Sequence, residues 1–283
     1  MTRLRENWFA ETLHGSYEQR LEITNILYHS KSELQDVMIF ETPFFGRVLA
    51  LDGIIQTTQR DEACYHEMLV HVPVFTHGDI KDVLIIGGGD GGALRETLRH
   101  PEVKNVTLVE IDESVVKVCQ EYLPSLSGGA FNDPRCSLVI SDGLQFVTKT
   151  KQKFDLIIVD SSDPVGPSEP LFSRKFYRDC HSLLSNDGIF ICQSGVSFVQ
   201  EEEARTTLQR LDSVFKDAAL YVTQVPTYSF GFMTLGWGAK NPALRATKNN
   251  EIRARFRKAN LQMKYYTTDI HQASFVLPEY MHY

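Results

Sequence analysis

The sequence predicts an α/β chain in two parts: a small N-terminal antiparallel β domain over residues 1–58, then a doubly wound α/β domain over residues 59–283. Three observations carry this. Short β runs broken by turn residues fill the N-terminal part. From Val83 onward, continuous apolar strands alternate with helical stretches, the pattern of a parallel sheet covered on both faces. The segment Val83-Leu84-Ile85-Ile86-Gly87-Gly88-Gly89-Asp90-Gly91-Gly92 is a buried strand running into a glycine loop and then a helix, the place where open α/β sheets bind nucleotide-like ligands.

Taken in order, residues 17–55 carry the β signals. Arg20 to Tyr28 alternates through Leu21, Ile23 and Ile26, and Val37–Phe40 and Arg47–Leu51 are short runs separated by Pro43 and Gly46. Asp52-Gly53 is a strong hairpin signal, because both residues tolerate the positive φ of tight turns. Asp61 to Val74 predicts a helix with Met68, Leu69 and Val72 among its apolar positions. Strands are expected at Val83–Ile86, Asn105–Val109, Cys136–Ile140, Phe154–Val159 and Gly188–Cys192. Helices are expected between them, including Glu113–Tyr122, Leu144–Thr148 and Ser173–Leu184. After a helix over Glu201–Phe215, the runs Ala219–Val225 and Gly231–Trp237 should close the sheet as an antiparallel pair.

Bulk properties narrow the function classes. A net charge of −7 argues against nucleic acid and anionic membranes as partners, since both need a basic face. No stretch approaches the ~20 apolar residues of a membrane span, and Met1–Asn7 leads into no apolar run of signal-peptide length. The cysteines Cys64, Cys119, Cys136, Cys180 and Cys192 are scattered, with no C-x-x-C pair, as expected of reduced thiols in a cytoplasmic protein.

The chemistry lies at the strand ends, because ligands of open α/β sheets sit outside the carboxyl ends of the strands. The first strand ends at the glycine loop with Asp90, the second at Glu110, the third at Ser141-Asp142-Gly143 and the fourth at Asp160, with Asp163 three residues on. Gly87, Gly89 and Gly92 have dinucleotide-fold spacing, but Asp90 inside the loop repels a pyrophosphate and welcomes a cation. That points to a nucleoside with positive charge nearby rather than NAD. Glu110 stands about 20 residues past the loop, where an acid bonds ribose hydroxyls. Asp142 has two readings, ligand contact or N-cap of the next helix. Asp160-Ser161-Ser162-Asp163-Pro164-Val165-Gly166-Pro167-Ser168-Glu169-Pro170 is a long, restrained connection of the kind that covers a site. Other motifs fail: His66 and His71 are five apart rather than the four of a zinc helix, no Cys/His cluster has metal-ligand spacing, and no G-x-S-x-G elbow occurs. Arg253–Lys258 fits a solvated helix face.

Together, the glycine loop with Asp90, Glu110-Ile111-Asp112, Asp142-Gly143, Asp160-Ser161-Ser162-Asp163-Pro164 with Gly166-Pro167, Leu51-Asp52-Gly53, Gln56 and Tyr65-His66-Glu67 resemble the spermidine synthase family of polyamine aminopropyltransferases, in its bacterial form. The likeness covers nearly the whole chain. It implies a Rossmann-like, methyltransferase-type catalytic domain and transfer of an aminopropyl group from decarboxylated S-adenosylmethionine to putrescine, giving spermidine and 5′-methylthioadenosine. It implies no cofactor or metal beyond that co-substrate, and a homodimer or homotetramer. Carried over by motif, Gln35, Glu110, Asp142, Gly143 and Pro167 hold the nucleoside. His66, Asp90, Asp160, Ser161, Ser162 and Asp163 hold the polyamine, Tyr65 and Tyr228 line the diamine channel, and Asp160 accepts the proton.

The chemistry suits these residues. A sulfonium donor is already activated for displacement, so no nucleophilic side chain is required. The amine must arrive as a free base; with an alkylammonium pKa of ~10.4, neutralising it near pH 7.4 costs about 4 kcal/mol. Asp160 is the expected acceptor, with Tyr65 orienting the nitrogen. Asp90 is expected to oppose the carboxylate of intact S-adenosylmethionine. Which acid holds the far amine stays open, as does a purely structural role for His66. Rival readings are an S-adenosylmethionine methyltransferase, an NAD-dependent dehydrogenase, a catalytically dead relative, and an aminopropyltransferase acting on cadaverine, agmatine or spermidine.

Overall fold

A computed structural model describes residues 7–32, 34–164 and 166–283. The N-terminal part holds two antiparallel sheets. β1 (Trp8–His14) pairs with β2 (Tyr17–Glu22), while β3 (Asn25–Lys31), β4 (Asp36–Thr42), β5 (Gly46–Leu51) and β6 (Ile54–Thr58) form a meander. The stretch from Arg20 to Tyr28 is therefore two strands, not one. The amide of Ile23 donates to the Asn7 carbonyl at 2.8 Å and that of Thr24 to Glu41 at 2.9 Å, so the chain leaves one sheet and enters the next. The alternation breaks at this switch: Leu21 and Ile23 pack inward, but the expected Ile26 is 52% exposed and Leu27 turns to the core in its place. Asp52 and Gly53 make the expected turn with φ of 50° and 78°.

α1 (Glu62–His77) follows, one turn longer than its apolar pattern suggested, and stops where Gly78 takes φ +82°. All its residues but Cys64 and His77 are buried, including the charged ones. That is why its pattern is a poor guide to its end: a helix buried all round has no polar face to mark.

The second part is one seven-stranded sheet. In chain order come β7 (Asp82–Gly87), α2 (Gly92–Leu98), β8 (Asn105–Glu110), α3 (Glu113–Tyr122), α4 (Pro124–Ser127), β9 (Cys136–Ile140), α5 (Gly143–Lys149), β10 (Phe154–Asp160), α6 (Arg174–Leu183), β11 (Leu184–Val196), α7 (Glu201–Asp212), β12 (Asp217–Gln224), β13 (Phe232–Ala239), α8 (Asn249–Ala259) and α9 (Thr268–Ala273). The strand order is β12-β13-β11-β10-β7-β8-β9. β9 to β11 run parallel through β8, β7 and β10, and β13 pairs antiparallel with both β11 and β12, the closing pair the sequence predicted. Alternate residues of β7 serve opposite cores. Val83 and Ile85 pack in the cluster of Met68 and Leu69 from α1, and Leu84 and Ile86 in that of Phe176 and Tyr177 from α6. Among the described residues, no helix is long and apolar enough to cross a membrane.

Glu67 of α1 ties the C-terminal segment to this core. Its carboxylate accepts from the backbone amides of Lys264 (2.8 Å), Tyr265 (2.9 Å) and Tyr266 (2.7 Å) while only 1% exposed. Glu67→Ala leaves buried amides without an acceptor and is expected to cost about 3 kcal/mol in chemical denaturation; a loss under about 1 kcal/mol would refute this role for the carboxylate.

Candidate functional site

The site forms where the chain reverses direction across the sheet. β7 and β10 are neighbours, with β8 and β9 laid down on one side and β11, β13 and β12 on the other, the topological switch point of an open α/β sheet. The register pairs Gly87 with Asp160. Gly88 donates its amide to the Asp160 carbonyl at 2.8 Å. A Cβ on Gly87 would lie 2.2 Å from that same oxygen, and Gly87 and Gly88 both take positive φ, so glycine is required for this approach.

A cavity of about 220 Å³ opens here, at the carboxyl ends of β7, β8, β9 and β10. It gathers Gln35, Tyr65, His66, Asp90, Glu110, Asp142, Gly143, Asp160, Ser161, Ser162, Asp163 and Tyr228. Pro167 belongs to the turn Gly166–Phe172, and its side chain lies outside the described residues.

At one end stand groups suited to a nucleoside. Glu110 is 7% exposed, and its Oε1 accepts the Asp112 amide at 2.9 Å. Burial pushes its carboxyl up to about 7, against the opposing pull of the Asp112, Ile111 and Gly89 amides. Gly89 gives it room, since a Cβ there would lie 2.9 Å from Glu110 Oε2. Asp142 fulfils the structural reading while lining the cavity: Oδ1 caps α5 through the Leu144 amide at 2.7 Å. Gly143 packs on Ile86, whose Cγ2 would be 2.4 Å from an added Cβ. Gln35, just before β4, donates to Asp112 at 2.9 Å and so joins the N-terminal sheet to the N-cap of α3.

The other end is acidic and aromatic. Tyr65 donates its hydroxyl to Asp160 Oδ1 at 2.8 Å, whereas Asp160 Oδ2 is buried with no hydrogen-bond partner. Burial and the nearby Asp90 raise the Asp160 carboxyl to about 6, although His66 and Tyr65 pull it down. Burial likewise lifts the Tyr65 and Tyr228 phenols well above their ordinary value, so both remain donors at neutral pH. Their rings meet edge to face at 6.0 Å, and Tyr228 donates to the Gln56 carbonyl at 2.6 Å. Asp90 Oδ1 accepts the Gly92 amide at 2.7 Å, and Oδ2 faces His66 Nε2 at 3.5 Å. Burial pushes Asp90 up, but His66, Gly92 and Arg95 outweigh it and hold the carboxyl below its usual value. Asp163 is held by two amide donors, Gln193 at 3.3 Å and Gln200 at 2.9 Å. Ser162 Oγ meets Ser168 Oγ at 2.8 Å across the connection. Ser161 Oγ is buried without a partner.

Several lining residues carried no signal in the sequence. Glu11 of β1 is 3% exposed, accepts the Ile55 amide at 2.8 Å and lines the cavity. Burial raises its carboxyl. Gln193 and Gln200 are further examples. Asp61 stands outside the lining and acts through Thr227, whose amide and hydroxyl it accepts at 2.8 and 2.7 Å, fixing the turn that presents Tyr228. None of these stands at a recognisable spacing from the glycine loop. Among the described residues, no group of three or more His, Cys, Asp or Glu side chains is arranged to hold a metal ion.

Known proteins resemble the chain along nearly its whole length. Residues 62–249 match the family described as spermine/spermidine synthase domain, and residues 7–59 match the spermidine synthase tetramerisation domain. The polyamine aminopropyltransferase of Klebsiella pneumoniae (strain 342) is 50% identical over 272 residues, covering 96% of this chain and 95% of that protein. That of Pectobacterium carotovorum subsp. carotovorum (strain PC1) is 49% identical over 277 residues, covering 98% and 96%. A crystal structure of a spermidine synthase in complex with the transition state analogue AdoDATO superposes with a TM-score of 0.93 at 38% identity, covering 98% of this chain and 94% of the other. Spermidine synthase from Thermotoga maritima gives 0.90 at 37% identity, with 98% and 93% covered.

The Tyr65–Asp160 bond yields a direct test. Tyr65→Phe removes a donor that favours the carboxylate, so the Asp160 titration should move above the value near 6. Carboxyl carbon NMR of aspartate-labelled protein reads this, and a titration at or below that of the parent protein would contradict the geometry.

Proposed function

The chain belongs to the spermine/spermidine synthase family, and on that premise we propose that it transfers the aminopropyl group of decarboxylated S-adenosylmethionine to putrescine. The products are spermidine and 5′-methylthioadenosine. The observation that carries this reading is Asp160: one oxygen fixed by Tyr65, the other buried and unpaired at the cavity between the nucleoside groups and the acidic channel.

The reaction follows from the placement. Glu110 accepts the ribose hydroxyls, Asp142 and the backbone of Gly143 take the adenine edge, and Gln35 closes that end. The amine nitrogen of putrescine attacks the aminopropyl carbon, the carbon–sulfur bond breaks, and its electron pair neutralises the sulfonium to a thioether. Asp160 Oδ2 takes one proton from the incoming putrescine ammonium, which frees the lone pair that attacks, and the nitrogen ends as a secondary ammonium. A carboxyl near 6 is well matched to that task, close enough to neutrality both to take the proton and to release it. Asp90 and Asp163 hold positive charge at the reacting end. Glu11 reaches the cavity from β1 and anchors the far ammonium; one carboxylate about 4 Å away contributes about 4 kcal/mol at an effective dielectric near 20. The connection from Ser161 to Phe172 covers the reacting groups. With the sulfonium as its own leaving group, the chemistry draws on no metal or redox group. We further propose that the enzyme works in the cytoplasm, in keeping with its five free cysteines, and as a homodimer or homotetramer, in keeping with the match over residues 7–59.

A product assay by mass spectrometry tests the reading. With putrescine and decarboxylated S-adenosylmethionine the protein should yield spermidine and methylthioadenosine, and Asp160→Asn should lower kcat about 10²–10⁴-fold. Methylated putrescine from intact S-adenosylmethionine would overturn it, and turnover confined to cadaverine, agmatine or spermidine would replace the acceptor. The ribose contact has its own pH signature. Both ribose hydroxyls can donate together only to the ionised carboxylate of Glu110, whose carboxyl is pushed up to about 7 by burial. Methylthioadenosine affinity by calorimetry should therefore be flat above about pH 8 and weaken roughly tenfold per unit below pH 7, a dependence abolished in Glu110→Gln. Affinity independent of pH in the parent protein would remove Glu110 from the ribose.

A further inference from the structure

Glu62 opens α1, is 5% exposed and does not line the cavity. Its Oε2 lies 2.9 Å from His66 Nδ1 and accepts from Arg95 Nη2 at 2.7 Å. His66 presents its other nitrogen to Asp90 Oδ2 at 3.5 Å. A neutral imidazole has one donor and one acceptor nitrogen, so it cannot donate to a carboxylate on each side, whereas an imidazolium can. Room for the ring exists because residue 92 is glycine: a Cβ there would lie 2.2 Å from His66 Cε1. The charged and titratable groups facing this ring are Glu62 and Tyr65 from its own helix, Asp90 from the β7–α2 loop and Asp160 from β10. Tyr228 stands beyond Tyr65, and Arg95 of α2 and Lys264, 3.7 Å from Glu62 Oε1, stand behind Glu62.

Asp90 and Asp160 stand at the ends of adjacent strands, yet their environments separate them. Asp90 has an amide and the His66 ring. Asp160 has one phenol and an unpaired oxygen. Burial works against charge on His66, but Asp90 and Glu62 outweigh it and hold the imidazole well above its ordinary value. Divergent environments for two neighbouring carboxyls are how a site divides one charged and one proton-accepting role between them.

We propose that Glu62 is a positioning residue for the transfer: it keeps His66 as a doubly donating ring against Asp90, and so makes Asp160, not Asp90, the carboxyl that takes the proton of the attacking amine. This rests on the function proposed above. Arg95 pairs with the Glu62 carboxylate from behind, and its Nε binds Glu96 at 2.8 Å.

Two readouts test it. Nitrogen NMR of the ligand-free protein should show both ring nitrogens of His66 protonated at pH 7.5. In Glu62→Gln, whose amide oxygen still accepts from Nδ1, that titration should fall by about one unit or more. A neutral His66 ring at pH 7.5 in the parent protein overturns the proposal. The second readout is the pH profile of kcat/KM with putrescine. Glu62→Gln should move the acidic limb up by about one unit, because a less charged His66 no longer holds the carboxyl pair ionised. His66→Gln should move it in the same direction, and adding Glu62→Gln to His66→Gln should add nothing. A purely structural Glu62 would lower activity at every pH and leave the limb in place, which also overturns the proposal. Should Glu62→Gln not fold, an unmoved limb in His66→Gln does the same. The imidazolium measurement uses no substrate, so failure of the transfer reaction and failure of this inference give different results.

Discussion

Everything in the site depends on one backbone contact, the Gly88 amide reaching the Asp160 carbonyl at 2.8 Å across the switch point. It locks the ends of β7 and β10 together and leaves no room for a side chain at residue 87. It also sets the conflict the rest of the site resolves. Two half-buried carboxyls, Asp90 and Asp160, are brought to adjacent strand ends, where like charges disfavour ionising both. Tyr65 and His66, consecutive on α1, answer one each, Tyr65 with a hydroxyl to Asp160 and His66 with a ring nitrogen to Asp90. The helix that meets the glycine loop is thus also the helix that gives the two acids different partners.

The buried charges between α1 and α2 form a continuous chain. Glu62 takes His66 and Arg95, Arg95 takes Glu96, and Glu96 takes His71, whose second nitrogen lies 2.9 Å from His100. Replacing such a network with apolar side chains is often neutral for stability, while breaking one member strands a charge. Its value here is orientation. It fixes the rotation of a helix that, being buried nearly all round, has no polar face to set its angle.

Much of this was legible in the sequence, for a definite reason. Strands of a parallel sheet are continuous apolar runs, so their ends are sharp, and Asp90, Glu110, Asp142 and Asp160 follow those ends directly. All four line the cavity. What local pattern missed depends on contacts distant in sequence. Glu11 reaches the cavity only because β1 lies beside β6, and nothing near residue 11 encodes that meeting. Glu67 looked like part of a motif with Tyr65 and His66, but it faces the C-terminal segment almost two hundred residues on. The sheet switch at Ile23 was missed because Ile26 and Leu27 are both apolar, and only the pairing with distant strands decides that Leu27 is the one packed inward. His71 shares a helix with His66 but belongs to the α2 network, as divergence at a spacing of five implies.

The cavity lies between the two N-terminal sheets and the seven-stranded sheet rather than within one of them. Glu110 and Asp142 stand at strand ends of the seven-stranded sheet, while Glu11, Ile55 and Gln56 at the opposite end of the cavity come from the N-terminal strands. On the proposed function, the depth available to an acceptor is set by how the N-terminal sheets sit against the seven-stranded sheet, whereas the donor's carboxylates belong to the latter, with Gln35 of the N-terminal part closing that end. Donor identity and acceptor length are separable traits in such a molecule. Changes around residues 11 and 54–56 reshape the N-terminal wall of the cavity while leaving Asp90, Glu110, Asp142 and Asp160 as they are.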